Sequence, residues 1–129
     1  MKPKTIIITA AVFGVTSVIM GAMGAHALKA VLSPDSLSSF LTGSKYNMYH
    51  AIALLAIAGN TKYLQENWLK NGVLLITVGT VLFSGSIYLL STSSVTGLSA
   101  RSILGPVTPI GGILLILGWL SIMMAAIKK

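Results

Sequence analysis

The chain has 129 residues, 54% of them hydrophobic and only 9% charged, with a mean hydropathy of +0.87; a soluble domain of ordinary composition carries about a quarter charged residues, so a soluble globular protein is excluded and lipid is the expected solvent. It has no cysteine, which excludes disulfides, thiolate metal sites, cysteine nucleophiles and quinone reductases built on paired thiols. The net charge of +7 is spread over single or paired Lys and Arg between apolar runs, a pattern of topology signals and anionic-lipid contacts and not of a nucleic-acid-binding face.

Four stretches approach the roughly 20 residues that cross a hydrocarbon core about 30 Å thick at 1.5 Å per residue. The first, residues 5–28, follows Lys2 and Lys4 and carries small residues at Ala22, Gly24 and Ala25. A secretory leader has similar parts, but the length of this run and the helical spacing of its small residues favour a retained membrane helix. Next come Ser33 as N-cap, Pro34 at the first helical position, Asp35 in the first turn and Gly43 as a stop, the signature of a short helix. Leu32 and Leu37 stand where a hydrophobic staple would, and Leu37, Phe40 and Leu41 form one apolar edge. A short interfacial amphipathic helix is therefore expected, as an ordinary connector in preference to a lid.

The second span, residues 46–64, is the weakest of the four. Its apolar centre covers only 48–59 before Asn60, Thr61 and Lys62, and a re-entrant or tilted interfacial segment is the alternative. The third and fourth, residues 69–91 and 106–127, are long and apolar throughout. The fourth opens with Pro106 and Pro109, expected in its first turn, where a missing N–H costs nothing because those donors are unpaired anyway. A stiff helix start is the favoured reading, with a shaped pocket floor as the alternative.

Alternate threading of four spans puts Lys2, Lys4, Lys62, Lys70, Lys128 and Lys129 on the side of the termini and Lys29, Lys45 and Arg101 on the other. Retention of cations on the inner face then makes both termini cytoplasmic, in a cell membrane of bacterial cytoplasmic type. Association of helices in lipid requires close packing on small residues. Ala10, Ser17 and Gly24, beside Gly14 and Gly21, recur at sevens in the first span; Gly72, Gly79 and Ser86 do so in the third, and Gly111, Gly118 and Ala125 in the fourth. Three stripes of one period predict an all-α fold, a single transmembrane antiparallel four-helix bundle.

The same threading gathers His26, Tyr46, Tyr49, His50, Ser84, Ser86, Tyr88, Arg101 and Thr108 at the outer end. An intramembrane histidine is a functional-site hypothesis by default; here interhelical hydrogen bonding is favoured, with ligand or headgroup binding second. His26 and His50 are expected to approach one another or to share polar partners, with Arg101 covering the site. Two histidines without a nearby carboxylate or thiol make a poor metal site, so no metal and no cofactor is implied. The only acids, Asp35 and Glu66, lie in connecting segments, which argues against a proton-coupled transporter. No Ser has a His and an acid partner by spacing, and Gly111-Gly112 is not followed by a Lys as in a phosphate-binding loop.

Four ordered motifs carry a resemblance across essentially the whole chain: Gly21-Ala22-Met23-Gly24-Ala25-His26-Ala27-Leu28, Tyr46-Asn47-Met48-Tyr49-His50-Ala51, Phe83-Ser84-Gly85-Ser86-Ile87-Tyr88, and Leu104 through Gly112 followed by Gly118-Trp119. With them the chain resembles the small multi-pass membrane proteins of domain-of-unknown-function family 423, typified by bacterial YgdD and YwdK and with eukaryotic relatives. Met23 and Asn47 depart mildly from the family pattern. The resemblance implies a multi-pass bacterial membrane protein and assigns no activity or site residue. The functional expectation is a non-catalytic bundle whose outer end binds a lipid, a small molecule or a membrane-protein partner, which includes a second copy of itself. A small transporter or channel component is the alternative, and an enzyme acting on lipid or quinone a third.

Overall fold

The computed structural model describes residues 1–129. All its regular structure is helical: α1 (Pro3–Ala25), α2 (Pro34–Gly59), α3 (Glu66–Ser91), the single turn α4 (Ser93–Thr96) and α5 (Arg101–Ile127), with a 3-10 turn at Thr61–Tyr63. Three of these, α1, α3 and α5, are long and apolar enough to cross a membrane.

The second helix differs from the expectation. Ser33 caps it, its Oγ accepting from the Ser36 N–H at 3.2 Å, with Pro34 at the first position and Asp35 in the first turn. The helix does not stop at Gly43, however; it runs on without a break for 26 residues, about 39 Å at 1.5 Å per residue. Gly43 is a packing residue. A Cβ there would lie 3.0 Å from the Tyr88 ring and 3.1 Å from Ile87 Cγ2, so the glycine lets α3 approach. The short interfacial helix and the second apolar run are thus one element. The fourth apolar run also starts earlier than expected, at Arg101, which places Pro106 and Pro109 inside α5. Pro109 then has no N–H to give the Gly105 carbonyl.

The main packing contacts join α1 to α2, α2 to α3 and α3 to α5. Each pair runs antiparallel: Ser17 meets Ser44 while Gly24 meets Leu41, and Gly79 meets Leu115 while Gly72 meets Ile122. Ala10, Ser17 and Gly24 of α1, Gly72, Gly79 and Ser86 of α3, and Gly111, Gly118 and Ala125 of α5 are all buried. The α3–α5 contact is backbone against backbone, since a Cβ on Gly111 would fall 2.5 Å from the Phe83 nitrogen and one on Gly79 2.9 Å from the Leu115 nitrogen. Gly21 and Gly24 face Ser44 and Leu41, whereas Gly14, expected at an interface, looks into open space.

Side-chain hydroxyls cross-bond the helices. Ser17 and Ser44 exchange bonds, each Oγ donating to the other's carbonyl at 2.8 and 3.0 Å, and Ser84 Oγ donates to the Gly43 carbonyl at 2.8 Å. Thr108 Oγ1 pairs with Ser86 Oγ. At the end of the molecule that carries the termini, the Gln65 N–H donates to the Ala125 carbonyl at 2.8 Å, and the apolar core of Ile6, Leu54, Val73, Ile76 and Ala125 extends from there. At the other, distal end, Leu28 and Leu32 of the α1–α2 turn cover Phe40. Because α1 and α5 share no interface comparable to the other three, the arrangement leaves two open furrows, one between α2 and α5 over α3, the other between α1 and α3 over α2.

Candidate functional site

The α2–α5 furrow holds two cavities. At the distal end a cleft of about 400 Å³ is bounded by Asp35, Ser36 and Ser39 of α2, Ile87, Leu90 and Ser91 of α3, and Arg101, Gly105 and Thr108 of α5. Further along the same helices a groove of about 580 Å³ is bounded by Tyr46, His50, Phe83, Gly112, Leu115, Ile116, Trp119, Leu120 and Met123. The spacings show that the two are successive stretches of one furrow. Positions 35, 39, 46 and 50 recur at fours and sevens along α2, and 101, 105, 108, 112, 116, 119 and 123 at threes and fours along α5, so each set keeps to one helix face.

The two stretches differ in chemistry. In the distal cleft the exposed Asp35 carboxylate and Arg101 guanidinium share one cavity without forming an ion pair; the one ion pair of the chain is the N-terminal ammonium on Glu66 at 3.2 Å. The groove below is walled by apolar and aromatic side chains, with Tyr46 and Phe83 ring centroids 5.0 Å apart. His50, 5% exposed, lies in its wall. The His50 Nδ1 is 2.7 Å from the Tyr46 carbonyl; a carbonyl only accepts, so Nδ1 carries the hydrogen and Nε2 is the acceptor. Trp119 Nε1–H donates to that Nε2 at 3.3 Å. Both ring nitrogens are therefore occupied, and the imidazole latches α2 to α5 instead of presenting a free donor or base.

His26 and His50 do not come together. His26 is exposed just beyond the last turn of α1 and its ring makes no hydrogen bond. Gly24 of α1 stands level with Phe40 and Leu41, so His50, some ten residues further along α2, is about 15 Å deeper. The expectation of a shared site took α2 to begin at Tyr46; its start at Pro34 moves His50 from the first turns to the middle of the helix. Arg101 and Thr108 line the distal cleft and not the histidines. Tyr46 lines the groove, while Tyr49 is exposed and packs edge-on against it at 5.6 Å. Ser84, Ser86 and Tyr88 are used between helices, with Tyr88 accepting from Asn47 Nδ2 at 3.2 Å and stacking near Phe40. Sequence reasoning missed Asp35, Phe83 and Trp119 as site residues. The signal available for Trp119 was its place at 112, 116, 119 and 123 on one α5 face. No three of the His, Asp and Glu side chains cluster as metal ligands would.

The family described as "Protein of unknown function (DUF423)" matches residues 20–112. Among curated relatives, the UPF0382 membrane protein YwdK of Bacillus subtilis is 36% identical over 132 residues, covering 97% of this chain and 98% of its own. The UPF0382 inner membrane protein YgdD of Escherichia coli is 32% identical over 128 residues, covering 99% and 93% respectively. The UPF0382 membrane protein C1782.12c of Schizosaccharomyces pombe is 45% identical over 111 residues, covering 85% and 91%. No solved structure matches the chain at a significant level.

Proposed function

The chain belongs to the DUF423 family of multi-pass membrane proteins, whose function is unknown, and from that premise we propose that it is a non-catalytic four-span protein that holds one phospholipid in the α2–α5 furrow. The fourth span is α2. Its low apolarity has a physical reason: Ser44, Asn47 and His50 are buried, and their polar groups, Asn47 Oδ1 excepted, bond to α1, α3, α5 or the helix's own backbone instead of meeting lipid. Lys45, exposed and about 7 Å below the level of Phe40, reaches the interface by its own stem. Both termini are cytoplasmic by the six-to-three division of Lys and Arg between the two ends, which turns the distal cleft toward the outer leaflet.

The observation that carries this reading is the polarity gradient along a single furrow. The distal cleft lies at headgroup depth, level with the end of α1, and offers a guanidinium that matches a phosphate oxygen pair. From Thr108 to Met123 the furrow then runs about 22 Å along α5, the direction and scale of an acyl chain, between walls that offer it dispersion contacts. An apolar lower half favours a lipid over the transport path of a small transporter or channel component.

Native mass spectrometry of the full chain, released from nanodiscs of phosphatidylethanolamine and phosphatidylglycerol, tests the proposal. One phospholipid per chain is expected to stay bound to the wild type. Gly105→Leu and Gly112→Leu, which fill the two stretches from positions with no neighbour closer than 3.9 Å, should release it, and Gly14→Leu, remote from the furrow, should not. Equal retention in all four proteins would overturn the proposal.

A further inference from the structure

The second furrow, on the opposite face, contains a cleft of about 230 Å³ between α1 and α3, whose lining includes Phe13, Thr16, Asn47, Thr80, Gly85 and Tyr88. Asn47 is 3% exposed. Its Nδ2 donates to the Tyr88 hydroxyl, but its Oδ1 is buried and has no hydrogen-bond partner, the only such side-chain atom in the protein. Buried acceptors are nearly always paired, and in hydrocarbon there is no bulk water to compensate. The neighbouring hydroxyls do not help. Thr16 donates to the Val12 carbonyl, Thr80 to Ile76 and Ser84 to Gly43, so each has spent its hydrogen and offers only lone pairs. Tyr88 accepts from Asn47 Nδ2 and has Ser44 as a second partner, whose Oγ has given its hydrogen to the Ser17 carbonyl and can take that of the tyrosine.

The cleft therefore lacks a donor for Asn47 Oδ1. A hydroxyl supplies one; an ether or ester does not. A carboxylate or ammonium is excluded on energetic grounds, since no charged side chain lines the cleft and an unpaired ion at this depth is too costly. Thr16 and Thr80 lie nine and eleven residues below the distal helix ends, about 14 to 16 Å into the bundle, so a ligand arrives through the bilayer. The torsion that turns an asparagine amide is soft, which allows Oδ1 to swing toward the cleft. We propose that the α1–α3 cleft is a binding site for a small neutral alcohol dissolved in the membrane, its hydroxyl donating to Asn47 Oδ1.

The test uses the full chain in phospholipid nanodiscs, photolabelled with a diazirine-bearing 1-octanol and, separately, with the methyl ether of the same compound, the adducts being mapped by mass spectrometry. The alcohol should label α1 around Val12 and α3 around Val81, and unlabelled 1-hexanol should compete. The ether should label these positions at least about threefold less, and Asn47→Leu should lower alcohol labelling by roughly three- to tenfold, the worth of one net hydrogen bond. Gly85→Leu should abolish it by filling the cleft, into which a Cβ at Gly85 enters with nothing within 4 Å, and its unfolding midpoint checks that the fold is kept. If alcohol and ether label alike, or if Gly85→Leu labels as the wild type does, the site is not what we propose. Either result decides the question even if Asn47→Leu fails to fold.

Discussion

Replacing Gly111 by Ala adds one methyl group at the tightest point of the α3–α5 contact. The new Cβ would lie 2.5 Å from the Phe83 nitrogen, 2.9 Å from its Cα and 3.0 Å from the Leu82 carbonyl carbon, against about 3.4 Å for ordinary contact. All three obstacles are backbone, so no side chain can swing aside and the helices must part by about 0.9 Å locally. A gap of that size forfeits about a quarter to a half of the dispersion well for every atom pair it opens. Overpacking typically costs about 1 to 3 kcal/mol, and with a rigid obstacle the upper figure applies; Ala in place of Gly returns about 1 kcal/mol of helix propensity, which leaves a loss of about 2 kcal/mol. Gly85→Ala is the control: the same change in α3, with open space before it, should be neutral or slightly stabilising. Equilibrium unfolding in mixed micelles by graded SDS measures both. If the two variants unfold at the same midpoint, the close approach of α3 and α5 at Gly111 is wrong.

Three further outcomes follow from named contacts. Trp119→Phe keeps an aromatic ring in the furrow but removes the donor to His50 Nε2, and should lower stability by about 1 kcal/mol in the same unfolding assay, the usual net worth of a hydrogen bond; wild-type stability would refute the latch. Ser17→Ala and Ser44→Ala each remove one of the two bonds from a hydroxyl to a backbone carbonyl between α1 and α2, and each should lower stability by about 0.6 kcal/mol in the same assay, whereas wild-type stability of both variants would dissolve the pair. Cysteines placed near Lys2 and Lys129 should resist a membrane-impermeant thiol reagent in intact cells while one near Asp35 reacts; labelling of both termini would reverse the orientation, and labelling of one alone would remove a span.

The apolar helices were legible because composition alone identifies them. The runs read as 5–28, 69–91 and 106–127 correspond to α1 (Pro3–Ala25), α3 (Glu66–Ser91) and α5 (Arg101–Ile127), and their stripes of small residues at sevens fall on buried faces because only small side chains permit such approach. The second helix was not legible, for the opposite reason. Its buried side carries Ser44, Asn47 and His50 between the apolar Phe40 and Leu54, and its exposed side carries Tyr49, Ile52 and Leu55, so hydrophobicity does not separate the two faces of the helix. Gly43 compounds this, since a glycine after an amphipathic run has the same appearance whether it ends a helix or admits a neighbour; only the positions of Tyr88 and Ile87 decide it.

That one misplacement accounts for the rest. With α2 starting at Tyr46, every polar residue of the chain's distal half falls at one depth and reads as a single cluster. With α2 starting at Pro34 the cluster separates by depth: Asp35, Arg101 and Thr108 at the distal end, then Asn47 with Tyr88, and His50 with Trp119 deeper still. The polar side of α2 then has a consequence for how the protein sits in lipid. Because Ser44, Asn47 and His50 turn inward, α2 is held by directional bonds to α1, α3 and α5, and its position depends less on close packing than that of α5, which rests on bare backbone contact with α3. Small changes of glycine should therefore loosen α5 first, and with it the outer wall of the furrow, while loss of a hydroxyl or an amide should act on α2 and the cleft behind it.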